Sequence, residues 1–224
     1  MSTGSDEAIS DAVARFLNGC AATCHLWPEQ EEGPYRRGEQ PRRRDVTEGR
    51  SGTPLALGLR LRTHNGDPLA DAEVEIWHCD AFGRYSGYSP PDPSSVVTAA
   101  SAPRAEYLPA ETFLRGRQPA DAAGRVEFRT IYPGWYPGRT VHIHVMVHAR
   151  GRTYTSQLYF PEELTRAVFT RPPYRERPTP DTTNDTDEIY PTGGDPALLE
   201  VVDDGDGGYL AGLCLVLTDA AVRR

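Results

Sequence analysis

The sequence predicts an all-β chain, a β-sandwich with one short N-terminal helix and long loops. Three observations predict it. Stretches of period-two alternation recur from residue 55 onward. Turn signals separate them, and 21 Gly and 20 Pro are spread without a repeating period. Helical periodicity is confined to the first twenty residues and one short later segment.

The elements follow in order. Residues 6–18 (DEAISDAVARFLN) read as one amphipathic helix: Ser5 or Asp6 caps it, acids fill its first turn, and Ile9, Val13, Phe16 and Leu17 share a face. Gly19 is its expected stop. Residues 28–54 read as loop, and the arginines 36, 37, 42, 43 and 44 within it as a solvated surface segment. LALGLRLRT (55–63) alternates, His64-Asn65-Gly66-Asp67 turns, and AEVEIWHC (72–79) alternates again. Residues 80–120 are proline-rich and aperiodic, so a long functional loop is expected there. After a turn at 121–124 come strands at 125–131, 140–148 and 153–160, a short helix at 161–169 with Pro161 in its first turn, irregular polar chain over 171–195, and a last strand within 206–218. The expected organisation is one domain, residues 1–54 forming a helix and loop segment ahead of a β-sandwich over 55–224.

Composition narrows the function. A formal charge of −8 argues against nucleic acid as a partner. No run of about eighteen apolar residues exists, so no membrane-spanning helix is expected. All basic residues are Arg, which excludes Schiff-base chemistry and a phosphate-loop lysine. Acids interrupt the first twenty residues, so as given they are not a signal peptide and the expected location is cytoplasmic, or exported if a signal has been removed. Cys20, Cys24, Cys79 and Cys214 allow three pairings between which the sequence does not choose. Reduced thiols are expected, with one disulfide, such as Cys79 with Cys20 or Cys24, as the alternative.

The best chemical signal is TVHIHVMVH (140–148). On a strand Val141, Ile143, Val145 and Val147 share one face and His142, His144, Met146 and His148 the other. The valine face is the core. His142 and His144 then stand about 6.6 Å apart along the strand and can converge on one ion, whereas His148, about 13 Å beyond His144, cannot share it. Imidazole alone does not choose among zinc, copper, iron and nickel. A cupin arrangement lacks its glutamate, since Val147 and His148 stand where it would be. A two-histidine, one-carboxylate site would need Asp80 or Asp121, and nothing selects either. Aromatic-rich turns flank the histidines: YPGWYPGR (132–139) and WHCDAFGRYSGY (77–88). A phenolate, with an ordinary pKa near 10, needs a strongly Lewis-acidic ion to stay deprotonated at neutral pH.

These pieces, with FLRGRQPADAAGRVEFRTIYPGWY (113–136), GRTVHIH (138–144), SQLYF (156–160) and LWPEQEEGPY (26–35), resemble the intradiol ring-cleavage dioxygenases, the family of catechol and protocatechuate dioxygenases. The likeness runs in order over roughly residues 24–160; the last sixty match loosely. It implies a non-haem ferric ion held by Tyr85, Tyr136, His142 and His144. It implies that Arg139 faces the substrate ring and that Gln157 stands near the iron, with Tyr136 leaving the metal and taking a proton as a catechol chelates. Tyr35 and Trp135 are candidate pocket walls, and Tyr88 competes with Tyr85. Many members read RPAHIH where this chain reads RTVHIH, a change that bears on substrate fit. The implied partners are a small catechol and O2, the implied product a cis,cis-muconate, and the chain a monomer or homo-oligomer. The alternatives are a zinc hydrolase built on His142 and His144, and a β-sandwich binding module without chemistry.

Overall fold

The computed structural model describes residues 3–20, 23–38, 40–88 and 110–218. Helix α1 spans Thr3–Cys20, strands β1 Cys24–Leu26, β2 Pro54–Thr63, β3 Glu73–Trp77, β4 Arg115–Pro119, β5 Arg125–Ile131, β6 His142–Ala149 and β7 Arg152–Tyr159. Helix α2 (Glu162–Val168), four single 3-10 turns between 174 and 197, and strands β8 Glu200–Asp203 and β9 Tyr209–Leu217 complete the chain. The strands form two sheets. One is ordered β1-β9-β2-β5 with β8 also on β9, the other β4-β3-β6-β7.

The two sheets share one apolar core. Leu55, Leu57, Leu59 and Leu61 of β2, Phe128 of β5 and Leu213 and Leu215 of β9 join Val74 and Ile76 of β3 and Ile143, Val145 and Val147 of β6. Each set comes from alternate positions of its strand, so the period-two reading places the core correctly.

The outer face of the first sheet is covered by α1. Val13 and Leu17 are buried there, while Ile9 and Phe16 are half-buried. Gly58 and Gly212 stand opposite each other on β2 and β9 and leave a notch for the helix. A Cβ on Gly58 would lie 2.5 Å from Val13 Cγ1, and one on Gly212 3.0 Å from Leu17 Cδ2. The helix continues through Gly19, which does not adopt the left-handed conformation that ends a helix, and stops at Cys20.

The helix also begins at Thr3, so Ser5 and Asp6 lie within it rather than capping it. Three further expectations need correction. Cys24 and Cys214, opposite each other on β1 and β9, form a disulfide, and Cys79 is a buried free thiol. Neighbouring strands bring residues 190 apart in sequence within a Cα separation of 4.5 Å, which no local pattern reports. Part of the 80–120 stretch, expected to be loop, is strand β4; it is an edge strand whose residues RGRQP carry no apolar alternation. The arginine segment is only partly solvated. Arg43 donates to the carbonyls of Arg115 and Thr112, Arg44 to Ser10, and Arg36 and Arg42 face Glu75 and Glu73.

Because α1 seats in a glycine notch, Gly58→Ala is expected to destabilise the fold by about 1–3 kcal/mol through overpacking. Val13→Ala in the same chain should recover part of that loss. Urea unfolding of the two single variants and the double variant measures it, and strictly additive losses would show that the helix does not rest in the notch.

Candidate metal centre

The far face of β6 is also buried. His142 is 3% and His144 0% exposed. A second cluster of buried side chains covers them: Tyr35, Trp77, Cys79, Tyr85, Tyr136 and Met146. In register, His144 stands between Trp77 of β3 and Gln157 of β7. Its ring stacks on Trp77 at 5.0 Å and 2°. Gly33 comes so close to the edge of this ring that a Cβ there would lie 2.8 Å from His144 Cε1.

Two loops carry the tyrosines, and they lie backbone against backbone. Asp80 Oδ1 accepts from the amides of Phe82 and Arg84 and folds the first loop. Gly83, at φ +82°, touches the Trp135 carbonyl of the second loop. Gly134 lies equally close to the Asp80 carbonyl, where a Cβ would be 2.3 Å away, and its amide donates to that carbonyl. Only glycine permits such contacts. Arg115, itself buried, donates to Ser86 Oγ and to the Ser86 carbonyl and ties the Tyr85 loop to β4. Tyr35 stacks on Tyr85 at 4.2 Å and meets Tyr136 edge-on at 5.7 Å.

The donor atoms converge. His142 Nδ1 lies 2.6 Å from the Thr140 carbonyl, which can only accept, so Nδ1 carries the proton and Nε2 presents a lone pair. That Nε2 is 3.2 Å from Tyr136 Oη and 3.2 Å from His144 Nε2. The Tyr85 hydroxyl is buried, interacts with the Tyr136 hydroxyl and makes no hydrogen bond of ordinary geometry among the described residues. Tyr88, its competitor, donates instead to the Arg36 carbonyl. Of the carboxylates considered, Asp80 caps its own loop and Asp121 caps the turn into β5. His148 pairs with Glu75 and Thr153, away from the pair. Among the described residues no group of three or more His, Cys, Asp or Glu side chains could hold a metal, so the histidines have tyrosines as their company here.

Burial sets the protonation of this cluster. It pushes the Tyr85 phenol well above its ordinary range and Tyr136 up to about 12, with Arg139 partly opposing the rise at Tyr136. It lowers His142 to about 3, helped by Arg139, and His144 well below the usual imidazole range. All four are therefore neutral without a cation. A buried phenol without a hydrogen bond of ordinary geometry, beside a lone pair of His142, is a donor set that a hard, highly charged cation satisfies.

Arg139 is 6% exposed and stands at the mouth of β6. Its Nε donates to Asp187 Oδ2 at 2.8 Å and its Nη2 to Gln157 Oε1 at 2.5 Å. Gln157 also accepts from Tyr159 Oη and donates to the Glu31 carbonyl. Trp135 belongs to the apolar core between the sheets, with its Nε1 donating to the Pro178 carbonyl and Arg177 4.7 Å over its ring. Residues 89–109, most of the loop expected to shape the pocket, lie outside the described residues. The cavities of about 470 Å³ between α2 and residues 179–183 and about 240 Å³ beside α1 are lined by none of the four tyrosines and histidines.

A family model described as "Dioxygenase" matches residues 31–168, a stretch that holds Tyr85, Tyr136, Arg139, His142, His144 and Gln157. The chain belongs to the intradiol ring-cleavage dioxygenase family. It is similar to an intradiol ring-cleavage dioxygenase from Tetranychus urticae, at 29% identity and a TM-score of 0.76 over 88% of this chain and 96% of that one. It is 28% identical over 120 residues to a chlorocatechol 1,2-dioxygenase of Rhodococcus opacus, covering 45% of this chain and 40% of that protein. It is 31% identical over 125 residues to the protocatechuate 3,4-dioxygenase beta chain of Burkholderia cepacia, covering 50% and 48%. The matched stretch thus spans less than half the length of these two relatives.

Sequence reasoning missed Asp187, Gln30 and Tyr159. Asp187 lies in TTNDTDE, where nothing distinguishes it from Asp181 or Asp185, and Gln30 sits in a run of acids.

The buried imidazoles imply a pH dependence for the metal-free protein. His142 is held near 3 and His78, whose Nδ1 donates to the Cys79 carbonyl and whose Nε2 accepts from Thr130, near 4. An unfolded chain binds these protons near the ordinary value of about 6.5. Below that pH the unfolded state holds more protons, so stability is expected to fall as pH drops from about 6.5 toward 4. Urea midpoints of metal-stripped protein between about pH 7 and pH 5 check this, and a flat profile would mean that water reaches the rings.

Proposed function

We propose that this protein is a non-haem ferric intradiol dioxygenase that cleaves a catechol ring between its hydroxyl-bearing carbons and adds both atoms of O2, giving a cis,cis-muconate-type product. One observation carries the reading: His142 Nε2 lies 3.2 Å from both Tyr136 Oη and His144 Nε2, beside a buried Tyr85 hydroxyl that makes no hydrogen bond of ordinary geometry among the described residues. Tyr85, Tyr136, His142 and His144 would hold the ion. When bound, a ferric ion supplies Lewis acidity that draws electron density from a chelated catechol. The shared core of the two sheets supports a β-sandwich as the scaffold.

The chain's own residues do the rest. Two catechol protons must leave on binding: Tyr136, on a loop beside the histidines, is the group placed to take one as a released phenolate, and the other would pass to solvent. Arg139 is a buried cation at the same mouth and favours negative charge developing on the ring in a site sheltered from water. Trp77, Gly33 and Tyr35 hold the rings of His144, Tyr85 and Tyr136 in place and exclude solvent. The Cys24–Cys214 bridge supports the exported alternative for location, since disulfides persist in oxidising compartments.

Purified protein is expected to carry one ferric ion per chain and a tyrosinate charge-transfer colour, and to consume O2 with a catechol while forming a muconate. Metal analysis, the visible spectrum and oxygen uptake over catechol, protocatechuate and hydroxyquinol test this. Full zinc occupancy with no visible band would overturn it. The tyrosines should separate. Tyr136→Phe is expected to keep iron and bind catechol but turn over slowly, whereas Tyr85→Phe shifts the colour and weakens iron retention. A Tyr85→Phe spectrum identical to wild type would move the ligand to Tyr88.

A further inference from the structure

The segment 181–190 lies beyond the stretch matched by the family model and runs across the ends of β6 and β7. It clips three consecutive residues of the turn between Tyr136 and His142. Asp181 Oδ1 accepts from the Gly138 amide at 3.1 Å. Asp187 takes Arg139. Asn184 Oδ1 accepts from Thr140 Oγ1 at 2.7 Å, and its Nδ2 donates to the Phe160 carbonyl.

Asp187 is the centre of this strap. Its side chain is fully buried. Oδ2 accepts from Arg139 Nε and from the Thr140 amide, both at 2.8 Å. Oδ1 accepts from Arg139 Nη2 at 3.4 Å and from the amides of Ile189 and Tyr190 at 2.8 and 2.9 Å. Three backbone amides therefore fix the carboxylate before the guanidinium is considered. A guanidinium has five hydrogens in a rigid plane. Asp187 and Gln157 take those on Nε and Nη2, and Nη1 has no partner among the described residues. The plane is set by its occupied edge, so the direction of the Nη1 hydrogens is set too.

We propose that Asp187 is a positioning residue for the reaction: a carboxylate locked by three amides that holds the Arg139 guanidinium so that only Nη1 faces the reacting ring. The inference rests on the dioxygenase reading for what Arg139 does, but not for the lock itself. A gap of a few tenths of an ångström in a charge-stabilising donor weakens it in the transition state more than in the ground state. Loss of the lock should therefore appear in kcat rather than in KM.

The test uses iron-loaded protein and the variants Asp187→Asn, Asp187→Ala, Asp181→Ala and Arg139→Ala, with the double variant Asp187→Ala/Arg139→Ala. Asp187→Asn keeps the shape but offers one acceptor oxygen to donors that had two. It is expected to lower kcat about 10- to 100-fold, the range for a charge-assisted hydrogen bond, with KM within about threefold of wild type. Iron content, the visible band and its shift on anaerobic catechol addition should be unchanged. In the Arg139→Ala background, Asp187→Ala should cost no further turnover. Asp181→Ala, which loosens the strap without touching Arg139, should keep most activity. Equal losses in Asp181→Ala and Asp187→Asn, or additive losses in the double variant, would overturn the proposal in favour of a purely structural strap. If wild-type protein turns over no catechol, the dioxygenase reading fails separately. Urea unfolding of the same cycle then decides the lock, with a coupling of about tenfold or more in the unfolding constant expected and strict additivity overturning it.

Discussion

Successive side chains of β6 point to opposite faces of its sheet, and in this protein both faces are buried. That constraint shapes most of the molecule. Val141, Ile143, Val145 and Val147 close the core between the sheets. His142, His144 and Met146 are left facing the other way, where an antiparallel sheet would ordinarily meet water. Burying two imidazoles is costly where a ring nitrogen lacks a partner, as His144 Nδ1 does among the described residues. The cover is not a third apolar layer but a set of loops rich in tyrosine, whose rings pack as hydrophobes and from which Tyr136 Oη reaches His142 Nε2.

Loops are poor cover unless something fixes them, because each ordered residue costs about 1–2 kcal/mol of backbone entropy. Here each loop is fixed by contacts to another loop's backbone. Gly83 and Gly134 let the two tyrosine loops touch directly. The segment before Tyr35 runs along β7, with the Gln30 amide donating to the Thr155 carbonyl and the Gln30 side chain accepting from Gln157 and Tyr159 while donating to the Ile189 carbonyl. Gln30 thus joins the segment over the site to the strap that holds Arg139. The geometry at the histidines is set by a closed ring of such contacts, which is how a site built from loops acquires the rigidity of one built on strands.

Much of this was legible in the sequence, and the boundary has a physical cause. Strands β2, β3, β5, β6, β7 and β9 alternate because each has one face in the core, and alternation marked them. Strands β1, β4 and β8 are three to five residues long and have no fully buried face, so no alternation marks them. The two histidines were visible because their spacing is a strand's own period. The tyrosines were legible only through the motifs around them, since a phenol that packs and a phenol that ligates look alike in composition. Asp187 and the Cys24–Cys214 bridge were invisible: each depends on a partner far along the chain, and the residues beside them have no pattern of their own.

The same burial that makes the cluster neutral bears on which ion it would accept under the proposed reading. Taking phenols and imidazoles out of water penalises a phenolate and an imidazolium alike, so in the absence of a cation the four side chains are uncharged. A cation entering this space must displace two phenolic protons to gain two phenolates, and the higher its charge, the further it tips that exchange. Under the proposed reading Tyr136 leaves as a catechol binds, so one phenolate would stay. A divalent ion would then bring one positive charge to the catecholate dianion, and a trivalent ion two, which balances it. Arg139 acts on this balance as a charge, opposing the rise at Tyr136 more than Asp187 adds to it, and under the proposal it acts also as a donor whose direction Asp187 sets. Under the proposed reading the charge of the ion and the aim of the arginine would be separate requirements, one met by tyrosines on the matched family stretch and the other by a carboxylate outside it.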